Sequence, residues 1–123
     1  MLQLLLVLLC SYSIESHSGS SVLKMANVDV FKRKQCIEYW PKHSFISELC
    51  AGGKDHRTCR GDSGGPLQCR NINNNNGQER WILQGITSFS DTICESDYPS
   101  VYTKVSKYVK WIYEKMHINY NYN

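Results

Sequence analysis

The stretch Cys59-Arg60-Gly61-Asp62-Ser63-Gly64-Gly65-Pro66 says most about the fold of this 123-residue chain. Its serine stands among glycines, a pattern typical of a tight turn that exposes a nucleophilic hydroxyl. Glycine also allows the positive φ angles and the close backbone approach that a substrate carbonyl requires. The stretch therefore predicts a catalytic loop, with Ser63 as its candidate nucleophile.

Length and composition limit the chain to one modest globular domain. Hydrophobic residues make up 41% and charged residues 20%, which is typical of a folded protein. The net charge of +3 comes from scattered lysines, so no nucleic-acid partner is predicted. Six cysteines with no CxxC pair and no Cys/His metal spacing favour disulfides, and predict neither a metal nor a cofactor.

The N-terminal run Met1–Cys10, MLQLLLVLLC, allows two interpretations. It is too short to cross a bilayer, so no membrane span is predicted. An apolar run followed by serines is typical of a secretory signal peptide; residues 1–18 would then be removed and the protein secreted, although the run has no basic start. The alternative is a buried strand that stays in the fold. The sequence leaves both open.

Most of the remaining chain is predicted to form strands. Apolar and polar residues alternate within Val22–Phe31, after a serine-rich linker at 16–21. Lys32–Gln35 is a charged break or at most a short helical turn, and Phe45–Cys50 is a short apolar segment. Further strands are predicted at Pro66–Cys69, Arg80–Phe89 and Ser100–Val105, with an asparagine-rich loop at 71–79.

The last segment changes to a helical period. Val105, Val109, Ile112 and Met116 fall on one face, and Ser106 is a suitable N-cap. The sequence therefore predicts a C-terminal α-helix, followed by a frayed polar tail at 119–123.

Five separated pieces of the sequence resemble, in order, the C-terminal half of the trypsin/chymotrypsin-like serine endopeptidases. They are Leu49–Gly52, Cys59–Leu67, Leu83–Phe89, Pro99–Val105 and Tyr108–Ile112. The resemblance covers about Val22 to Met116 and implies an all-β fold, an antiparallel Greek-key β-barrel of six strands with a C-terminal α-helix. It makes residues 19–118 a partial peptidase domain.

The resemblance assigns roles within the catalytic loop. Ser63 matches the nucleophile, and the backbone N–H groups of Gly61 and Ser63 match the oxyanion hole. Asp62 matches the carboxylate that pairs with the α-amino group made by zymogen cleavage. The sequence contains no Ile-Val-Gly-Gly segment that could supply this amine.

The sequence does not contain the rest of the family's catalytic triad. The family's general base lies in an Ala-Ala-His-Cys motif and its orienting aspartate in an Asp-Ile-Ala-Leu-like motif, and neither is present. The four histidines match neither motif and are interpreted as surface residues: His17, His43, His56 and His117. Losing the triad histidine costs about 10⁶ in turnover, so this chain is expected to be inactive alone.

Two functions follow from this pattern. The first is a serine endopeptidase by family, represented by a truncated form that acts on polypeptides and lacks its N-terminal barrel. The alternative is a secreted, non-catalytic pseudoprotease that binds a protein partner, because a fold does not by itself fix a function.

The resemblance also implies a substrate pocket. Arg57 stands where the trypsin branch has an aspartate, and it would repel a basic substrate side chain and favour an acidic one. Alternatively Arg57 points to solvent, and Asp55 would reach the pocket only if the loop bulged. The other implied pocket residues are Thr58, Ser88, Phe89, Ser90, Ser100 and Tyr102.

Three disulfides are implied by the resemblance. They are Cys36–Cys50, Cys59–Cys94 and, if the N-terminus is retained, Cys10–Cys69. If residues 1–18 are removed, Cys69 is left as an odd thiol.

Overall fold

The chain folds around a six-stranded antiparallel sheet with two short helices. The structure, a computed structural model, describes the backbone of residues 9–14 and all of residues 23–52, 56–71, 79–94 and 97–117. The strands are β1 (Leu9–Ile14), β2 (Lys24–Val28), β3 (Glu48–Ala51), β4 (Pro66–Asn71), β5 (Arg80–Phe89) and β6 (Ser100–Lys104). The helices are α1 (Arg33–Tyr39) and α2 (Val109–Lys115), the latter preceded by a 3-10 turn at Val105–Lys107.

This architecture confirms the predicted antiparallel, mainly β fold. Closure of the sheet into a barrel remains a prediction. The predicted linker at 16–21, the tail at 119–123, His17 and Asp55 lie outside the described residues. None of the described helices is long and apolar enough to cross a bilayer.

The strand order is β2-β1-β4-β5-β6-β3, so β1 lies inside the sheet. Cys10 of β1 pairs with Val28 of β2 on one side and with Cys69 of β4 on the other. The two outer strands, β2 and β3, approach each other where the chain leaves β2. There Val30 and Ala51 form an isolated antiparallel bridge, and the N–H of Gly52 donates to the carbonyl of Asp29 at 3.0 Å.

Two apolar clusters fill the interior. One contains Ala26, Val28, Ala51, Leu67, Cys69 and Tyr102, and the other contains Cys36, Phe45, Cys50 and Val101. Leu67 and Tyr102 are fully buried, and burying a side chain of leucine size contributes about 2 kcal/mol. Gly85 lets β5 lie close over this core, because a Cβ there would come within 2.8 Å of the Tyr102 Cβ.

Helix α1 is longer than the short helical turn expected within the charged break Lys32–Gln35. The N–H of Lys32 donates to Oε1 of Gln35 at 3.0 Å, which satisfies one backbone donor at the start of the helix. Cys36 is buried and bridged to Cys50 of β3, with the two Cα atoms 5.8 Å apart. The charges of the first turn face solvent, and the buried cysteine holds the helix on the sheet.

Helix α2 begins later than predicted. Ser106 lies in the 3-10 turn rather than at the helix N-cap, and Tyr108 occupies the N-cap position. No residue of α2 is buried. Of its expected apolar face, Val109 and Ile112 are half-buried, while Met116 just beyond the helix is exposed. The predicted apolar face of the helix is therefore present, but it is only partly buried by the described residues.

The Ser63 loop and its cavity

Backbone hydrogen bonds hold the Ser63 loop against strand β5. The N–H of Gly64 donates to the carbonyl of Thr87, and the N–H of Thr87 donates to the carbonyl of Gly65, each at 2.9 Å. The Thr87 hydroxyl donates to the same Gly65 carbonyl at 3.0 Å. Gly61 and Gly64 have φ angles of 99° and 84°, which explains the need for glycine on both sides of Ser63. The predicted tight turn is therefore present, and hydrogen bonds to Thr87 of β5 hold it in place.

Asp62 is buried beneath this turn, with 4% of its surface exposed. Its Oδ2 accepts a hydrogen bond from the N–H of Cys59 at 2.7 Å, and its own N–H donates to the Cys59 carbonyl at 3.1 Å. The disulfide between Cys59 and Cys94 anchors the same segment, confirming that predicted pairing. The carboxylate thus stabilises the loop that presents Ser63.

Two backbone donors of the loop are not used within the described residues. The N–H groups of Asp62, Gly64 and Gly65 all donate to carbonyls, whereas those of Gly61 and Ser63 have no acceptor in the described ranges. Ser63 itself is exposed. Two unused donors beside an exposed hydroxyl are the arrangement that stabilises an oxyanion formed when that hydroxyl attacks a carbonyl.

A cavity of about 250 Å³ opens beside Ser63. It is lined by Thr58, Cys59, Arg60, Ser63, Thr87, Ser88, Phe89, Ser90, Asp91, Thr92 and Cys94. It brings together Ser63 and four of the predicted pocket residues, Thr58, Ser88, Phe89 and Ser90, from separate parts of the chain. Its wall is rigid at Phe89, whose ring packs edge-on against Trp40 at 5.3 Å between centroids.

Three predicted pocket residues do not line this cavity. Ser100 is fully buried, and its Oγ accepts a hydrogen bond from the N–H of Thr58 at 2.9 Å, so it supports the wall from behind. Tyr102 lies in the apolar core. Arg57 is half-buried, and its Nη1 lies inside the protein rather than in the cavity.

The sequence did not predict four further side chains that line the cavity, Arg60, Thr87, Asp91 and Thr92, and it assigned Cys59 and Cys94 only to a disulfide. Asp91 is half-buried, and its Oδ1 accepts a hydrogen bond from the N–H of Thr92 at 2.7 Å. Arg60 is exposed at the rim. The sequence did contain a signal, because Asp91 and Thr92 directly follow Ser90 in the loop that the disulfide closes at Cys94.

No histidine of the described residues lines the cavity. Nδ1 of His43 lies 3.2 Å from Oε2 of Glu48, and its ring packs against Phe89 at 5.0 Å between centroids without lining the cavity. His56 is exposed, and His117 follows the end of α2. The described residues also contain no group of three or more His, Cys, Asp or Glu side chains that could hold a metal ion. The exposed Ser63 hydroxyl and the two unused N–H donors therefore have no neighbouring histidine in the described residues.

Comparisons with known proteins place this site in context. The family model described as Trypsin matches residues 10–112. Kallikrein-15 of Saguinus oedipus and glandular kallikrein-10 of Rattus norvegicus are each 40% identical over 100 residues, covering 79% of this chain and 35% of the relative. Ovochymase of Halocynthia roretzi is 43% identical over 94 residues, covering 73% of this chain and 6% of the relative.

Among solved structures, the fold is similar to neuropsin, a serine protease expressed in the limbic system of mouse brain. The TM-score is 0.69 at 29% identity, and the match covers 94% of this chain and 52% of neuropsin. The chain therefore spans about one third of the kallikrein relatives and about half of the neuropsin chain.

Proposed function

The chain belongs to the trypsin family of serine proteases, and from this premise we propose that it supplies the nucleophile half of a serine endopeptidase site. The observation that carries the proposal is the pair of unused N–H donors, on Gly61 and Ser63, beside the exposed Ser63 hydroxyl. Polypeptides are the substrates, and the cavity beside Ser63 receives the side chain that precedes the cleaved bond.

The chemistry assigned to these groups is acyl transfer. The Ser63 Oγ forms a bond to the carbonyl carbon of the substrate, and the π electrons of the carbonyl move to its oxygen. The N–H groups of Gly61 and Ser63 stabilise that developing negative charge. The serine proton must pass to a base. The oxyanion electrons then re-form the carbonyl, the C–N bond breaks, and the base donates the proton to the departing amine, which leaves an ester of Ser63 for water to hydrolyse.

We propose that this base comes from another polypeptide. No histidine of the described residues shares the cavity with Ser63, and His17 lies outside them. The 123-residue chain by itself is therefore proposed to be inactive. Asp62 is proposed to retain its activation role, exchanging the Cys59 N–H for an α-amino group when one is supplied.

An apolar groove offers a surface for the complementary half of the domain. The groove, of about 590 Å³, lies between the outer face of β5 and β6 and helix α2. It is lined by Ile86, Thr103, Val105, Tyr108, Trp111 and Ile112. Trp111 is 56% exposed, which is high for a tryptophan beside an apolar groove. Because the relatives are longer than this chain, we assign the groove to the other barrel of a two-barrel enzyme.

The disulfides favour an extracellular location. Cys36–Cys50 and Cys59–Cys94 are formed, and disulfides persist mainly in oxidising compartments. Secretion is accordingly part of the proposal. The competing function, a secreted pseudoprotease that only binds a protein, is favoured by the absence of a histidine from the described cavity.

A fluorophosphonate probe tests the proposal, because it reacts only with an activated serine. The purified chain alone is expected not to be labelled. The same chain refolded with the first barrel of mouse neuropsin, which would supply a base, is expected to be labelled, and Ser63→Ala is the matched control. Labelling of the chain alone would overturn the claim of inactivity. No Ser63-dependent labelling in a correctly associated mixture would instead favour the binding module.

A further inference from the structure

A second cavity lies between helix α1 and strands β3, β5 and β6, away from Ser63. Its volume is about 260 Å³, and none of its lining residues belongs to the Ser63 cavity. A site of 150 Å³ already accommodates benzene, so this one is large enough for a small aromatic or branched molecule.

The floor of this cavity is apolar and rigid. Phe31 and Leu49 are half-buried, and Phe45 is buried with 4% of its surface exposed. Phe45 also has a φ of 50°, a conformation that a bulky residue adopts only where the surrounding structure holds it. Cys36 also lines the cavity, and its disulfide with Cys50 ties α1 to β3. The floor is thus preformed.

The rim carries two cations from different elements, Arg33 of α1 and Lys104 of β6. Nε of Arg33 donates to the Ser44 carbonyl at 2.8 Å, which fixes the guanidinium stem and leaves its terminal nitrogens available. Within the described ranges, neither Arg33 nor Lys104 takes part in an ion pair. The half-buried side chain of Gln84 adds a neutral hydrogen-bonding group to the lining.

The one acidic residue of the lining is already engaged. Both carboxylate oxygens of Glu48 lie within 3.3 Å of Nδ1 of His43, and both residues are about one-third exposed. Among the described residues of the lining, the charged groups without an ion-pair partner are therefore Arg33 and Lys104, beside an apolar floor.

We propose that this cavity is a binding site for a small apolar monocarboxylate, such as an arylalkanoate. The apolar body of the ligand packs on Phe31, Phe45 and Leu49, and its carboxylate lies at the rim between Arg33 and Lys104. An arginine fork paired with an ammonium is a suitable receptor for a carboxylate. The site does not depend on peptidase chemistry.

The probe for this site is 3-phenylpropionate, compared with 3-phenylpropanamide, which has the same shape and no charge. Binding to the full 123-residue chain is followed by amide chemical shifts of Leu49 and Gln84 in a ¹⁵N-labelled sample. For a ligand of this size a dissociation constant on the order of 1 mM is expected. The carboxylate is expected to bind about tenfold more tightly than the amide.

Three variants test how each charged side chain of the lining contributes to binding of 3-phenylpropionate. Lys104→Gln and Arg33→Gln are each expected to weaken 3-phenylpropionate binding about tenfold, while Glu48→Gln strengthens it, because a nearby negative charge is removed. Lys107→Gln, an exposed lysine that does not line the cavity, is the matched control and should leave binding unchanged. Thermal melts of all four variants confirm that they fold.

Three outcomes would overturn the proposal. One is the absence of shifts at Leu49 and Gln84 at millimolar 3-phenylpropionate. Another is equal binding of 3-phenylpropanamide and 3-phenylpropionate, which would show that the cavity binds apolar groups without a contribution from Arg33 and Lys104. The last is an equal effect of Lys107→Gln and Lys104→Gln, which would indicate general charge attraction rather than a site.

Discussion

Cys59 and Asp62 hydrogen-bond each other in both directions. The Cys59 N–H donates to the Asp62 carboxylate at 2.7 Å, and the Asp62 N–H donates back to the Cys59 carbonyl at 3.1 Å. This closed pair sets the turn on which Ser63 lies. It also links the turn to the disulfide Cys59–Cys94 and so to the far wall of the cavity.

Removing the Asp62 carboxylate is expected to destabilise this turn. Asp62→Ala should lower the free energy of unfolding by about 2 kcal/mol, because the Cys59 N–H loses a charge-assisted partner. Urea denaturation measures the loss. Asp97→Ala, at an exposed position outside the loop, is the control and should change stability by less than about 0.5 kcal/mol. Equal effects of the two variants would argue against the structural role of Asp62.

Adding a methyl group at Gly85 is expected to disrupt the core. A Cβ there would lie 2.8 Å from Tyr102 Cβ and 3.4 Å from Leu67 side-chain atoms, so Gly85→Ala should lower stability by about 2 kcal/mol. At Gly64 the added Cβ meets no atom within 4 Å, and only the φ of +84° opposes it. Gly64→Ala should therefore lose only about 1 kcal/mol. A larger loss at Gly64, measured by urea denaturation, would contradict this ranking.

The N-terminal strand gives a prediction about processing. β1 lies between β2 and β4, Cys10 is opposite Cys69 in the register, and Cys69 is disulfide-bonded. We therefore expect the mature protein to retain residues 9–14 and to contain a Cys10–Cys69 bridge. Peptide mapping by mass spectrometry, with and without reduction, tests both points. A secreted form that begins after residue 18 with a free thiol on Cys69 would contradict them.

The charge inside the cavity beside Ser63 can be tested without catalysis. Asp91 and Arg60 both line this cavity, and Arg57 does not. Because Asp91 is half-buried and Arg60 is exposed to solvent, a cation is expected to be favoured there, in contrast to the acidic preference expected if Arg57 formed the floor of the pocket. Benzamidine should bind more tightly than benzoate, and Asp91→Asn should weaken benzamidine binding about fivefold. Arg57→Gln is the matched comparison and should change binding less than about twofold. If calorimetry shows that benzoate binds more tightly than benzamidine, the acidic preference predicted from Arg57 would be supported instead.

Several features followed from local sequence alone. The glycines around Ser63, the strand Arg80–Phe89 and the helical period after Val105 depend on neighbouring residues, and all three were predicted near their observed positions. The cysteine pairings Cys36–Cys50 and Cys59–Cys94 followed from the family resemblance and are present. The length of α1 was missed, because its helix is stabilised by the contact of Cys36 with β3 rather than by local charge.

The sequence by itself determined the family and the tight turn around Ser63, since both depend on short motifs whose backbone requirements are local. The tertiary structure decided which charged side chains lie beside Ser63. Arg57 lies closer to Ser63 in sequence than Asp91 does, yet Asp91 lines the cavity, because the loop closed by Cys59–Cys94 brings it there. Tertiary pairing also placed Leu9–Ile14 between β2 and β4, because backbone groups from distant parts of the chain pair with it on both sides.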